Sequence, residues 1–314
     1  MRVVFMGSAE IACASLQALL DAPGIKVVGA ITQPDRPAGR NLQTAACAAK
    51  AYAQARGVEI FSPASVNHPE ALEHIRQWLP DIGVVVAYGQ ILKRPLLALP
   101  GLGFINIHTS LLPKYRGAAP IQRAVANGDA ETGVTIMQMD EGMDTGGILA
   151  QLPVPIGHED TAGQVHDRLA TAGAALLPAV LAGIRAGRME IHPQDNAYAT
   201  TAPKLTKAEG RLDWTQPAMA LFNRIRGFNP WPGCFFQYEC SHGVQSVRVL
   251  EARAECGGGF PAVPGSVIGI DGGPLAACGE GALRLLRVQP EGGKTMSGAA
   301  FLCGRQLRIG DRLR

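Results

Sequence analysis

In the first half of the chain, apolar positions come in short runs separated by amphipathic stretches. Residues 3–6 form one such run, and the stretch 9–20 after it has helical spacing. Residues 27–32 read as a second strand, closed by Gln33-Pro34-Asp35. A helix over 45–56, a strand over 58–61 and a helix over 69–79 follow, the last with Leu72, Ile75 and Leu79 on one face. Residues 82–87 carry no polar side chain, as expected of a central parallel strand covered on both faces. A strand over 104–108 ends in polar residues, one over 134–139 follows a turn at 128–133, and one over 148–153 follows Gly146-Gly147. This alternation predicts an α/β fold with an open, doubly wound sheet, whose ligands bind at the carboxyl ends of the strands.

The pattern then changes. Residues 161–184 are Ala- and Leu-rich at helical spacing and should pack on that sheet, whereas 188–207 are polar and aperiodic and read as a linker. A helix over 217–225 is broken by Asn229-Pro230-Trp231-Pro232-Gly233. Short apolar runs at 234–238, 244–250, 265–270, 275–278 and 283–288, separated by Gly-rich turns, predict a small antiparallel barrel. The expected division is 1–190, a linker at 191–207, and 208–314.

Composition supports two ordinary cores. The 314 residues suggest two domains at ~100–200 residues each. A 47% hydrophobic and 18% charged composition is that of a globular chain and not a disordered one. No uninterrupted apolar run nears the ~18 residues of a membrane span, and the opening apolar stretch is too short for a signal peptide. The seven cysteines are odd in number, dispersed and without a C-x-x-C pair, which fits reduced thiols in a cytoplasmic protein. Charge is unevenly placed. Residues 1–203 hold 15 Lys and Arg against 17 Asp and Glu, while 204–314 hold 14 against 9. The excess positive charge therefore sits in the C-terminal third, as in a polyanion-facing module or by chance on a solvated surface.

Several motifs are absent. Gly7 stands alone after the first strand where a nicotinamide site needs G-x-G-x-x-G. Gly293-Lys294-Thr295 imitates the end of a phosphate loop, but Val288 occupies the position of its first glycine. Neither an H-E-x-x-H zinc motif nor a G-x-S-x-G elbow occurs. No metal and no nicotinamide cofactor is expected.

The chemistry-bearing residues lie on the strand Phe104-Ile105-Asn106-Ile107-His108, whose period of two puts Asn106 and His108 on one face near its carboxyl end. Asp144 lies in the Gly-rich loop after the next strand, within reach of His108. Asn is a neutral oxyanion donor, His moves protons near neutral pH, and Asp orients the ring. The set suits acyl transfer to an amine, although spacing alone leaves the reaction class open. A strand-end His is often structural, and an Asp in a glycine loop is often a turn residue.

Asn106-x-His108-x-Ser110-Leu111-Leu112-Pro113, with Asp144 in its loop, resembles the folate-dependent formyltransferases. Gln33-Pro34-Asp35-Arg36-Pro37-Ala38-Gly39-Arg40, Arg116-Gly117-Ala118-Ala119-Pro120-Ile121-Gln122 and Phe228-Asn229-Pro230-Trp231-Pro232 are similar to the branch of that family that acts on methionyl-tRNA. The resemblance covers residues 3 to about 313. It implies a Rossmann-like formyltransferase domain followed by a C-terminal β-barrel of the OB type that helps hold tRNA. It also implies transfer of a formyl group from 10-formyltetrahydrofolate to the α-amine of methionyl initiator tRNA, for translation initiation in the cytoplasm, with neither a DNA nor a membrane partner.

By the same resemblance Asn106, His108 and Asp144 are the catalytic set, acting without metal or covalent enzyme intermediate. The folate site would comprise Ala87, Tyr88, Gly89, Gln90, Ile91, Leu92, Ser110, Leu111, Leu112, Pro113, Met139, Asp140 and Gly142. Candidate tRNA contacts are Arg36, Arg40, Arg211, Arg224 and Arg226. After Arg40 the usual basic stretch is replaced by Asn41-Leu42-Gln43, so the hold on tRNA is expected to rest on Arg36, Arg40 and the basic barrel. Two other readings remain. One is a formyltransferase acting on an amino-sugar nucleotide, in which an Arg is expected at the position of Ala118. The other is an RNA-binding OB protein with an inactive catalytic domain.

Overall fold

The computed structural model describes residues 1–38, 43–240, 243–255, 262–305 and 307–314. It divides into two compact units. Unit 1 comprises 1–120, 131–155 and 166–203, and unit 2 comprises 121–130, 156–165 and 204–314.

In chain order the first elements are β1 (Arg2–Gly7), α1 (Ile11–Asp21), β2 (Lys26–Ile31), β3 (Arg36–Ala38), β4 (Gln43–Ala45), α2 (Ala48–Gln54), β5 (Ile60–Phe61), α3 (Pro69–Gln77), β6 (Ile82–Val86), α4 (Arg94–Leu97) and β7 (Phe104–His108). They continue with α5 (Pro120–Asn127), β8 (Glu131–Gln138), β9 (Ile148–Pro155) and α6 (Ala162–Arg185). Unit 1 is built on one seven-stranded sheet in the order β5-β2-β1-β6-β7-β8-β9. The first five strands run parallel, while β8 and β9 are added antiparallel. The sheet is thus mixed, with the doubly wound order only on its parallel side. Val3 to Met6 are fully buried and β6 is buried at every position, as the unbroken apolar runs demand.

The helix expected over 69–79 stops at Gln77, and Leu79 adopts φ 47° and is 67% exposed. Trp78 fills the core in its place, 7% exposed. Helix α6 is long and apolar enough, by length and composition, to cross a membrane. In the structure one face of it covers the sheet: Leu169, Leu177, Val180 and Leu181 are buried, and a Cβ on Gly173 would sit 2.9 Å from Ile107. Asp167 and Arg168 on the same helix are why no uninterrupted apolar run shows in the sequence.

Unit 2 carries α7 (Ala218–Gly227), β10 (Cys234–Cys240), β11 (Gly243–Glu255), β12 (Val267–Gly269), β13 (Leu275–Ala277), β14 (Ala282–Pro290), β15 (Met296–Ser297) and α8 (Gly298–Arg305). Its strands pair antiparallel in the order β10-β11-β14-β13-β12. The last four residues close the ring. Gln237 and Arg314 exchange backbone hydrogen bonds of 2.7 and 2.6 Å on the β10 side. On the other side Val267 N–H donates to Asp311 and Leu313 N–H to Gly265, each at 2.8 Å. The result is a small barrel whose outer strands are covered there, filled by Phe236, Tyr238 and Phe301 in tilted and edge-on contact.

Candidate active site

Strand β7 lies between parallel β6 and antiparallel β8, so β8 ends beside the amino end of β7, Gln138 opposite Ile105, and the loop that leaves β8 folds back to bring Asp144 to Asn106 and His108. Asn106 and His108 are 9% and 6% exposed. Asp144 stands beside them. Its Oδ2 lies 3.6 Å from His108 Nδ1, and Asn106 Nδ2 donates to its Oδ1 at 3.5 Å. The other ring nitrogen, Nε2, donates to the Tyr115 carbonyl at 2.9 Å. Acceptors thus flank both nitrogens, the Tyr115 carbonyl within hydrogen-bond distance and the Asp144 carboxylate just beyond it. The strongest bond to Asp144 comes from the backbone N–H of Gly117, at 2.8 Å to Oδ2.

Local sequence builds this geometry. Thr135, opposite His108 in the β7–β8 register, is fully buried. Its hydroxyl donates to Ser110 O at 2.6 Å and accepts Leu112 N–H at 3.0 Å. Gln151 donates to the same hydroxyl and to Leu112 O, which fixes the turn after β7. In the loop carrying Asp144, Asp140 Oδ1 accepts Gly142 N–H at 3.0 Å and the Thr145 hydroxyl at 2.7 Å. A Cβ on Gly146 would lie 1.7 Å from Gln138 O, so only glycine lets the loop fold back this closely. Asp144 itself has φ 56°, a left-handed conformation costing a non-glycine residue about 1–2 kcal/mol.

The remaining candidates separate into accessible and structural positions. Ala87, Gly89 and Ile91 are exposed, and Gln90 is bound to the backbone of Val66 and Ala64. Tyr88 and Leu92, each 2% exposed, belong to the core with Val85, Leu96 and Phe104. Burial pushes the Tyr88 phenol up to about 12. Ser110 is fully buried, its hydroxyl donating to Lys114 O at 2.6 Å, and Leu112 is 3% exposed. The side chains of Tyr88, Leu92, Ser110 and Leu112 are therefore structural, leaving only their backbone atoms as ligand contacts. Leu111, Pro113 and Met139 are partly buried, while Asp140 and Gly142 are exposed.

Among the basic candidates, Arg211 is exposed. Arg226 is not: it is 7% exposed and donates to Asn223 Oδ1, Gly157 O and Asp160 O. The expectation of a phosphate contact there is corrected, because α7 turns this residue inward to bind backbone carbonyls. Arg224 is half-buried, with its guanidinium 5.4 Å from the Phe228 ring centre. Arg36 lies on β3, while Arg40, Asn41 and Leu42 fall outside the described residues.

Sequence reasoning passed over four groups that touch the site: the Tyr115 carbonyl, the Gly117 N–H, Arg116 and Gln194. Gln194 donates to the carbonyls of Asp144 and Gly146 at 2.9 and 2.7 Å. It lies in the aperiodic 188–207 stretch, where periodicity offers no signal. Arg116-Gly117 did stand out in the sequence, but only as the start of a motif of resemblance.

Known proteins resemble this chain along its whole length. Residues 1–181 match the formyl transferase family, and residues 204–306 match the formyl transferase C-terminal domain. The chain is 47% identical to the methionyl-tRNA formyltransferase of Thiobacillus denitrificans, over 100% of this chain and 99% of that protein. Against the methionyl-tRNA formyltransferase of a Methylobacterium species the identity is 44%, over 100% and 99%. Among solved structures, an N-formyltransferase of Helicobacter canadensis, in complex with folinic acid and dTDP-3-aminofucose, shares the fold at TM-score 0.64 and 17% identity, over 90% of this chain and 98% of that one. HypX of Aquifex aeolicus, in complex with tetrahydrofolic acid, does so at TM-score 0.60 and 16% identity, over 96% of this chain and 47% of that one. With both family domains matched in order and near-complete alignment to these relatives, the chain belongs to the formyl transferase family, in its methionyl-tRNA formyltransferase branch.

Proposed function

We propose that this chain transfers the formyl group of 10-formyltetrahydrofolate to the α-amine of methionine esterified to initiator tRNA, in the cytoplasm. The observation that carries the reading is the meeting of Asn106, His108 and Asp144 in a chain 47% identical, end to end, to a methionyl-tRNA formyltransferase. The proposed division of labour gives catalysis to residues 1–190 and the hold on tRNA to 208–314, with 191–207 joining them.

The neutral amine attacks the formyl carbon. A bond forms between that carbon and the amine nitrogen, and the bond from the carbon to the folate nitrogen breaks. The amine loses one proton and the departing folate nitrogen gains one. Negative charge gathers meanwhile on the formyl oxygen. Asn106 Nδ2, whose contact with Asp144 is a long 3.5 Å, gives up least in turning to that oxygen. Protonated Nδ1 of His108 is the second donor, since its 3.6 Å contact with Asp144 is longer than a hydrogen bond, and Asp144 stabilises the ring's charge while Nε2 stays on the Tyr115 carbonyl. One such donor is worth ~2.7–4 kcal/mol of barrier. Amide and ring donors beside a carboxylate fit a carbonyl that becomes anionic. The folate is placed along the accessible positions Ala87, Gly89, Gln90, Ile91, Leu111, Pro113, Met139, Asp140 and Gly142.

The test offers the purified protein 10-formyltetrahydrofolate with either methionyl initiator tRNA or an amino-sugar nucleotide. N-Formylmethionyl-tRNA is the expected product. Formylation of the sugar amine alone, or of neither, refutes the reading.

A further inference from the structure

The segment 190–202 runs along the active-site loops of unit 1. It begins with a bridge between His192 and Ile148 at the start of β9, with backbone bonds of 2.9 and 2.7 Å. It ends where Arg116 N–H donates to Thr200 O at 2.8 Å and Ala202 N–H donates to Arg116 O at 2.7 Å. Gln194 lies between these anchors and spends its whole amide on the site. Both its N–H groups go to the carbonyls of Asp144 and Gly146. Its oxygen accepts from Arg116 Nε at 3.1 Å and Nη2 at 2.7 Å. Carbonyls only accept and a guanidinium only donates, so chemistry fixes which end of the amide is which. Arg116 Nη2 also donates to Asn196 Oδ1 at 2.8 Å.

Three successive residues then meet three members of the site: Tyr115 O accepts from His108, Arg116 grips Gln194, and Gly117 N–H donates to Asp144. We propose that Gln194 and Arg116 are positioning residues of the formyl-transfer reaction, a brace that holds Asp144 in its left-handed conformation and sets its carboxylate against His108 and Gly117. The proposal rests on the functional reading above. The brace works by sharing. Gln194 holds the Asp144 carbonyl while the Gly117 amide holds the carboxylate of the same residue. Arg116 joins both ends of that arrangement, because its own neighbour supplies the amide.

Gln194→Glu separates positioning from plain anchoring. Glutamate keeps, and strengthens, the pairing with Arg116, but it cannot donate to the two carbonyls. A residue that merely ties the segment to Arg116 would be served as well by Glu as by Gln. The expected result is a kcat lowered by ~10–100-fold, the scale of a roughly 1 Å misplacement of a reacting group. The KM values for folate and tRNA should stay within about twofold. Gln194→Ala should behave alike. In an Asp144→Asn background either substitution should cost little more, because it acts through a carboxylate already removed.

A normal kcat in Gln194→Glu, a loss confined to KM, or full multiplicativity with Asp144→Asn overturns the proposal. A crystal structure of Gln194→Glu gives a readout free of turnover: Asp144 should leave its bond to Gly117 N–H, and an unmoved carboxylate also overturns the brace. Wild-type turnover on methionyl-tRNA separately reports on the functional reading, so the two failures are distinguishable.

Discussion

Replacing Asp144 by Asn removes one charge and almost no volume, which makes its cost calculable. The carboxylate Oδ2 faces both Gly117 N–H, at 2.8 Å, and His108 Nδ1, at 3.6 Å. The single oxygen of Asn occupies that place and keeps the Gly117 bond. Its NH2 then faces Asn106 Nδ2, replacing a weak 3.5 Å bond with two donors in opposition. The fold has little reason to change. What is lost is the attraction between the carboxylate and the His108 cation. At 3.6 Å and an effective dielectric of about 20, that attraction is about 4–5 kcal/mol. The side chains are only 7% and 15% exposed, so solvent screens the pair modestly. Lost in full from the transition state, it lowers kcat by about 10³–10⁴. Single-turnover formylation at saturating substrates measures this directly. A rate within about tenfold of wild type, in an Asp144→Asn protein whose new amide oxygen still accepts from Gly117 N–H, refutes the electrostatic reasoning.

Further outcomes follow from burial and pairing. Arg226→Ala removes three hydrogen bonds from a charged donor and should cost about 3 kcal/mol of stability in thermal or denaturant unfolding. Arg211→Ala should instead leave stability unchanged while weakening tRNA binding and flattening its salt dependence by about one unit of slope, read by filter binding. Burial pushes the Cys234 and Cys278 thiols up to about 12, so at pH 8 roughly one in 10⁴ is ionised. Peptide mapping after brief iodoacetamide treatment should find the exposed Cys303 alkylated and those two untouched. Glu209 is held below the usual carboxylate range, chiefly by its hydrogen bond from Arg123, the two being 2.7 Å apart. A depressed carboxylate stabilises the fold above its unfolded pKa and loses that contribution as pH falls through the folded value. Arg123→Ala should therefore lower the melting temperature more at about pH 7 than at about pH 3, and an equal deficit at both refutes the assignment.

The grouping of Asn106, His108 and Asp144 was legible because its signal is local. Strand period places Asn106 and His108 on one face, and the glycine loop announces a turn near Asp144. Arg226 was misread because net charge says where cations are frequent, not which way a helix turns them. On α7 its side chain faces the carbonyls of 157 and 160, some 66–69 residues away in sequence. The strands of unit 1 were legible for a similar reason, since buried parallel strands need unbroken apolar runs. The antiparallel addition of β8 and β9 was not, because a strand's apolar pattern reads the same in either direction.

By itself the sequence determined the strand–helix alternation, the chemistry-bearing residues and, through their resemblance to a family, the reaction class. Each depends on short-range spacing or residue type. Only the tertiary structure decided which polar groups meet. The aperiodic stretch 188–207 has no spacing from which to predict that Gln194 bonds the Asp144 carbonyl, because that contact spans 50 residues and depends on two loops folded onto one sheet edge. It likewise decided that four C-terminal residues close the barrel, since strand pairing joins backbone groups that carry no signature in the side chains.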